Sequence, residues 1–242
     1  MTYSSASDAG VCIVIPAAGS GVRLGEPVPK AFVDLGGRTV LQRCVDGLAT
    51  LDADVVVVVP ADLVDAARTQ LPDHVVVVAG GAHRSDSVRA GLGAAAHRDI
   101  VLVHDAARPF TPVAVFERVV DAVRSGHRAV VPGLPVADTL KQVVVASDGS
   151  GDCELVTRTV DRESLRAIQT PQGFTREALA LAHADDSGLA TDDAGLAERV
   201  GVPVHVVPGD PLAFKITTPW DLRIARDVVA EGDHPIHEGV TR

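Results

Sequence analysis

The chain has 242 residues, of which 46% are apolar and 3% aromatic, and it carries a formal net charge of -10 at pH 7. That charge excludes a general affinity for DNA, RNA or anionic membranes, which require a basic face to displace counterions, and so few aromatics leave little for stacking single-stranded bases. The length suits one α/β domain built on a single core.

The polar start "MTYSSASDAG" lacks the charged-then-apolar plan of a signal peptide, and no apolar run approaches the ~20 residues of a membrane span. Cys12, Cys44 and Cys153 are scattered, matching neither a disulfide framework nor a zinc spacing. A cytoplasmic location is therefore expected.

In chain order, short Val/Ile runs recur at "VCIVI", "DVVVVV" (54–59), "HVVVVA" (74–79), "DIVLVH" (99–104), "RAVV" (128–131) and "VPVHVV" (202–207). Continuous apolar runs suit strands buried on both faces, hence a mostly parallel sheet with helices on either side. Helices are expected near 39–50, 61–71, 84–96, 112–125, 175–184, 192–200 and 218–230. Thr111-Pro112 and Thr218-Pro219 each place an N-cap before proline at the first helical position, and Asp221 can complete a capping box with Thr218.

The alternation breaks between Ala137 and Arg162, where two β-prone stretches flank the turn-rich "SDGSGD". This predicts a β-hairpin inserted at about 137–162 within a single domain spanning 1–230. A lone hairpin is marginal in water, so it needs a surface to lie on, and a second subunit is the natural candidate. Residues 231–242 lack apolar periodicity and are expected to form a loose tail.

The loops after the strands carry the chemistry. The stretch "IPAAGSGVRLGEPVPKAF" (15–32) is glycine-rich, yet Gly19, Gly21 and Gly25 are mis-spaced for a dinucleotide turn, and Lys30 lies too far along for a phosphate-cradling Walker loop. What remains is a loop with two small residues, permissive glycines and two cations, Arg23 and Lys30. It can wrap a triphosphate through backbone N–H groups, or it can be an ordinary connection with surface charges.

After the third strand, "GGAHRSDSVRAGL" frees the backbone at Gly80-Gly81, and Ser85 to Ser87 open a helix whose N–H groups favour anions, unless they form a plain N-cap. After the fourth, "HDAARPF" offers Asp105 for a metal or sugar and Arg108 for an anion, or a structural ion pair of the two; His104 suits a satisfied core position. Lysine occurs only at 30, 141 and 215, and two of the three fall in these loops.

Together, "PAAGSGVRLG" with "PK", "SDSVRAGL", "VHDAARPF", "DTLK", "TVDR" with "TPQGF", "TDDAG" and "FKITTPWDL" resemble, in order over roughly residues 11–228, the 2-C-methyl-D-erythritol 4-phosphate cytidylyltransferases. The resemblance implies a Rossmann-like nucleotidyltransferase core with a β-arm that interlocks two subunits. It also implies CMP transfer from CTP to the phosphate of methylerythritol phosphate, releasing pyrophosphate, with Mg2+.

By the same resemblance, Ala17, Ala18, Gly19, Gly81 and Ser87 would hold the cytidine, while Arg23 and Lys30 would grip the triphosphate. Asp105 would lie near metal and substrate, and Arg108, Thr139, Thr170, Thr191 and Lys215 would line the acceptor pocket. Arg162 would reach the partner subunit's site. Two departures stand out: Ala31 follows the lysine where many relatives have glutamine, and Ala82 follows Gly81 where some have an acidic residue.

An acceptor phosphate is already ionised near neutral pH, so the implied reaction needs no general base. Arg23, Lys30 and Lys215 are expected to neutralise its transition state. A ribitol 5-phosphate cytidylyltransferase and a non-catalytic nucleotide sensor are the competing readings, the second because fold alone does not fix function.

Overall fold

The structure, a computed structural model, describes residues 10–19, 24–26, 28–95, 98–145, 153–184 and 192–232. The strands are β1 (Val11–Pro16), β2 (Asp54–Val59), β3 (Val76–Ala79), β4 (Ile100–Val103), β5 (Ala129–Pro135), β6 (Leu140–Val145), β7 (Glu154–Val160), β8 (Arg166–Ile168), β9 (Gln172–Thr175) and β10 (Val204–Pro208). The helices are α1 (Val40–Asp46), α2 (Val64–Gln70), α3 (Arg84–Ala94), α4 (Val113–Arg124), α5 (Arg176–Ala182), α6 (Asp193–Arg199) and α7 (Pro219–Gly232).

One sheet runs in the order β10-β5-β9-β4-β1-β2-β3, with β8 also paired to β5. It is parallel from β4 through β3 and between β10 and β5, whereas β9 runs antiparallel to both neighbours. The fold is thus the mixed α/β, mostly parallel architecture that the apolar runs predict. The strands β8 and β9 were not foreseen: "RAI" and "QGFT" are too short and too polar to stand out.

Alternation along each strand divides the core. Ile13 and Ile15 of β1 join Val57, Leu102 and Phe116 on one face, where α1 and α4 pack. Cys12 and Val14 join Val56, Val58, Val103, Phe174 and Leu179 on the other, beneath α3 and α5. Each fully buried Val, Ile, Leu or Phe contributes about 1.5–3 kcal/mol to this arrangement.

A third, smaller cluster bears directly on the site. Leu24, Val33, Leu35 and Val40 pack against Ile216 and against Leu222, Ala225 and Val229 of α7. It pins the segment holding Lys30 and the segment holding Lys215 to the same helix.

The predicted capping box is present, with Asp221 N–H donating to Thr218 Oγ1 at 3.2 Å and Thr218 N–H to Asp221 Oδ2 at 2.7 Å. The start of α4 differs from expectation. Pro112 is its N-cap, and the Thr111 hydroxyl donates instead to the Arg108 carbonyl at 3.0 Å.

The inserted hairpin is β6 paired antiparallel with β7, a separate two-stranded sheet. Its expected turn, "SDGSGD" at 147–152, lies outside the described residues. Val144, Val145, Leu155 and Val156 stand exposed on it, Val145 at 81%.

Candidate active site

The ends of β1, β3 and β4 open on a cavity of about 190 Å³. Ala17, Ala18, Gly19, Lys30, Gly81, Ala82, His83, Arg84, Ser87, Asp105 and Lys215 are among the residues lining it. Every predicted nucleotide-binding residue is therefore in one place, together with two of the three predicted catalytic cations. The third, Arg23, and the predicted acceptor contact Thr191 lie outside the described residues.

Small residues bring the loops together. Ala17 N–H extends the β1–β2 pairing by donating to Val58 O at 2.7 Å. A Cβ added at Gly80 would lie 2.6 Å from Ser87 Oγ and 3.0 Å from Ala18 Cβ, so glycine there answers a need for space. Neither Gly80 nor Gly81 adopts a positive φ. At the start of α3, the Asp86 carboxylate accepts from His83 N–H at 3.0 Å, and the Ser87 hydroxyl donates to the His83 carbonyl at 3.3 Å.

Asp105 is the electrostatic centre. Lys215 Nζ lies 2.7 Å from Oδ2, Arg84 Nη2 lies 3.7 Å from Oδ1, and Arg108 Nε lies 3.8 Å from Oδ2. Burial alone pushes the Asp105 carboxyl up, but Lys215, then Arg84 and Arg108, hold it down at about 2. Arg84 also pairs with Asp193, so three cations face two carboxylates and leave a surplus of positive charge, which an anionic ligand can neutralise.

Behind Asp105 a chain of hydrogen bonds fixes its backbone. Asp105 N–H donates to Thr170 Oγ1 at 3.0 Å, and that hydroxyl is 3.1 Å from His104 Nδ1. His104 Nε2 is 3.3 Å from the Arg108 carbonyl, which can only accept, so Nε2 carries the proton and Nδ1 accepts from Thr170. Burial lowers the His104 pKa to about 4, which keeps the ring neutral. His104 is thus the satisfied core histidine that its position suggested.

This places Thr170 behind the acidic centre. It is buried, does not line the cavity, and its one hydroxyl proton is committed to His104. Arg108 is also largely buried; its Nη1 donates to the Ala213 carbonyl at 2.6 Å, while its Nε has no hydrogen-bond partner. That Nε instead faces Asp105 Oδ2 as an ion pair at 3.8 Å, and Arg108 is not among the described residues lining the cavity. Thr139 and Arg162 sit at the exposed base of the hairpin, where Arg162 donates to the carbonyl of Ala137. Neither lines this cavity within one chain.

Sequence reasoning missed the support for Arg84. Its Nη2 pairs with Asp193 Oδ2 at 2.7 Å, and His183 Nε2 donates to Asp193 Oδ1 at 2.9 Å. Burial raises the Asp193 pKa, but Arg84 and His183 outweigh it and keep the carboxylate ionised. The motif "TDDAG" marked the segment, but nothing local in it points to a histidine on α5 or an arginine on α3.

Asp105 is the one carboxylate among the described residues lining the cavity. Mg2+ at nucleotide sites commonly uses one or two carboxylates and takes its remaining oxygens from phosphates and water, so this donor set fits the ion. The described residues hold no group of three or more potential protein ligands.

A sheet whose strand ends gather small-residue loops, a helix N-terminus and several cations in one cavity defines an α/β protein of the nucleotide-binding class. The sequence matches the profile of the 2-C-methyl-D-erythritol 4-phosphate cytidylyltransferase family over residues 11–231. It is 57% identical over 226 residues to the enzyme of that name from Rhodococcus jostii, an alignment spanning 93% of this chain and 97% of the relative. The corresponding protein of Saccharopolyspora erythraea is 52% identical, with 91% and 99% of the two chains covered.

Among solved structures, the Thermus thermophilus cytidylyltransferase superposes with a TM-score of 0.73 at 40% identity, covering 91% of this chain and 99% of that one. The synthase of Anaerococcus prevotii gives 0.76 at 28% identity, with 91% and 96% covered. The chain belongs to the 2-C-methyl-D-erythritol 4-phosphate cytidylyltransferase family.

Proposed function

We propose that the protein transfers CMP from CTP to the phosphate of 2-C-methyl-D-erythritol 4-phosphate, giving 4-diphosphocytidyl-2-C-methyl-D-erythritol and pyrophosphate. The observation that carries this reading is the cationic cluster of Lys215, Arg84 and Arg108 around Asp105, facing the small-residue loops across the cavity. An acceptor phosphate oxygen attacks the α-phosphorus of CTP, a P–O bond forms, and the bond to the β-phosphate breaks with its electron pair leaving on pyrophosphate.

Both reactants are anions, so the chief barrier is charge. Lys215 and Lys30, with Arg23 from the glycine-rich loop, offset the growing negative charge, and preorganised donors of this kind need no rearrangement during the reaction. Arg108 adds its positive charge beside Asp105 on the acceptor side. Asp105, held ionised by its cations, would hold Mg2+, which when bound adds charge neutralisation on the phosphates. Ala17, Ala18, Gly19, Gly81 and Ser87 bind the cytidine, with Thr139 and Thr191 serving the acceptor side and Thr170 holding the Asp105 backbone from behind.

The active species is a homodimer joined through the hairpin arm, whose exposed valines and Leu155 need a covering surface. Within it, Arg162 acts in the partner subunit's site. The decisive experiment measures pyrophosphate release with CTP, Mg2+ and each of two acceptors. Turnover with methylerythritol phosphate is expected; turnover only with ribitol 5-phosphate overturns the acceptor, and CTP binding without pyrophosphate release overturns the reaction.

A further inference from the structure

The loop carrying Lys215 leaves the sheet from β10, which is an edge strand, so no strand on its outer side can hold it. Its anchor comes from across β5. Gly133 of β5 is in register with Ile168 of β8 on one side and Pro208 of β10 on the other. Gln169, the residue after β8, is buried, and its backbone N–H donates to Pro132 O at 2.8 Å.

The Gln169 side chain then makes two bonds to the backbone of one residue in that loop. Nε2 donates to Asp210 O at 2.8 Å, and Oε1 accepts from Asp210 N–H at 3.0 Å. Donor and acceptor are both used, as a buried primary amide requires.

Asp210 passes the constraint on. Its Oδ1 accepts from Leu212 N–H at 2.8 Å, and its carbonyl also accepts from Ala213 N–H at 3.0 Å, which closes the turn Pro211–Ala213. The Ala213 carbonyl receives Arg108 Nη1 at 2.6 Å, and Ile216 N–H donates to Ala107 O at 2.9 Å. Lys215 lies between these two fixed points, 2.7 Å from Asp105.

A second observation is steric and independent of the hydrogen bonds. A Cβ at Gly209 would lie 2.3 Å from Gln169 Oε1 and 3.2 Å from Gly133 C. Gly209 has no positive φ to explain it, so its role is to leave room for this amide.

We propose that Gln169 is a positioning residue for nucleotidyl transfer, fixing the Asp210–Ala213 turn and thereby the placement of Lys215 and Arg108 against Asp105, without itself touching substrate. The inference rests on the reaction proposed above. Displacing a reacting group's partner by about 1 Å costs on the order of 10²-fold in rate. Gln169→Ala is therefore expected to lower kcat roughly tenfold to a hundredfold, with the KM for CTP held, because the cytidine loops follow β1 and β3 on the other side of the cavity.

Three measurements separate positioning from a general loss of structure. First, because Gln169 acts through Lys215 and Arg108, the Gln169→Ala loss must shrink in a Lys215→Ala background; two losses that multiply in full overturn the proposal. Second, Gly209→Ala, which crowds the same amide, must give a kcat loss of the same kind, and must add little to Gln169→Ala. Third, the amides of Leu212 and Ala213 in the unliganded protein must exchange faster in Gln169→Ala, with an unchanged circular dichroism spectrum. Wild-type kcat in Gln169→Ala overturns the inference alone, whereas absence of turnover in the unmodified protein overturns the reaction and this inference with it.

Discussion

Asp105 sits within 4 Å of three cationic side chains, and that imbalance makes two predictions. Lys215→Ala removes the nearest cation and is expected to lower kcat by roughly 10²–10³, the scale for deleting one preorganised electrostatic contact. Steady-state pyrophosphate release checks it, and near-normal turnover would remove Lys215 from the transition state. The second concerns acid stability. His104 titrates at about 4 when folded against 6.5 ordinarily, so between those values the unfolded chain binds a proton that the fold refuses.

Stability must therefore fall as pH drops from about 6.5 through about 4, and His104→Gln must flatten that part of a melting-temperature curve against pH. Asp105, depressed to about 2, contributes stability in full above its ordinary value near 3.8 and loses it progressively as pH falls from there through about 2. A curve with an unchanged slope in the variant would show that His104 is not its source. At this scale the lysines were legible, since a sequence sparing of lysine marks those it keeps. The Arg84–Asp193–His183 network was not, because ion pairs between distant segments leave no periodic or spaced signature.

Helix α3 shows how an element meets the sheet. Gly91 allows it to lie against β1 and β2: an added Cβ would stand 2.3 Å from Val14 Cγ1 and 3.1 Å from Val58 Cγ2, both on fully buried side chains. Alanine would gain up to about 1 kcal/mol in helix propensity, but overpacking a rigid core costs about 1–3 kcal/mol. The second effect wins, so Gly91→Ala is expected to lower stability in chemical denaturation, with an unchanged denaturant dependence. An increase in stability would show that α3 moves off the sheet without penalty. The sequence pattern placed all seven α-helices of the described residues and the two paired strands of the hairpin because burial on one or both faces writes itself into apolar spacing. It missed β9, where Gly173 leaves no side chain to mark a strand, and a Cβ there would lie 2.4 Å from Val119 Cγ1.

The whole molecule is acidic, yet its cavity collects cations, so the charge that sets solubility and the charge that binds substrate have opposite signs. The arm is the other large-scale feature. Replacing Val144 and Leu155, which are paired across the hairpin on one exposed face, with lysine places charge there, and if the proposed arm-joined dimer forms, sedimentation analysis is expected to show its conversion to monomer with a loss of turnover. An unchanged sedimentation coefficient would show that the arm is not the contact.

The position of β9 also has a consequence for how the protein is made. This strand lies between β4 and β5, yet the whole arm is synthesised before it, so β4 and β5 have no neighbour in common until residue 175 exists. A growing chain must carry the β4-β1-β2-β3 part of the sheet with a bare edge at β4, beside a β5 whose partners β9 and β10 are not yet made, a state prone to sticking to other chains. A polypeptide ending at Leu165 is expected to stay protease-sensitive and to associate on standing, while one extended through α5 can join its halves. Birth order thus makes the arm an interruption that the nascent protein has to survive before its centre can close.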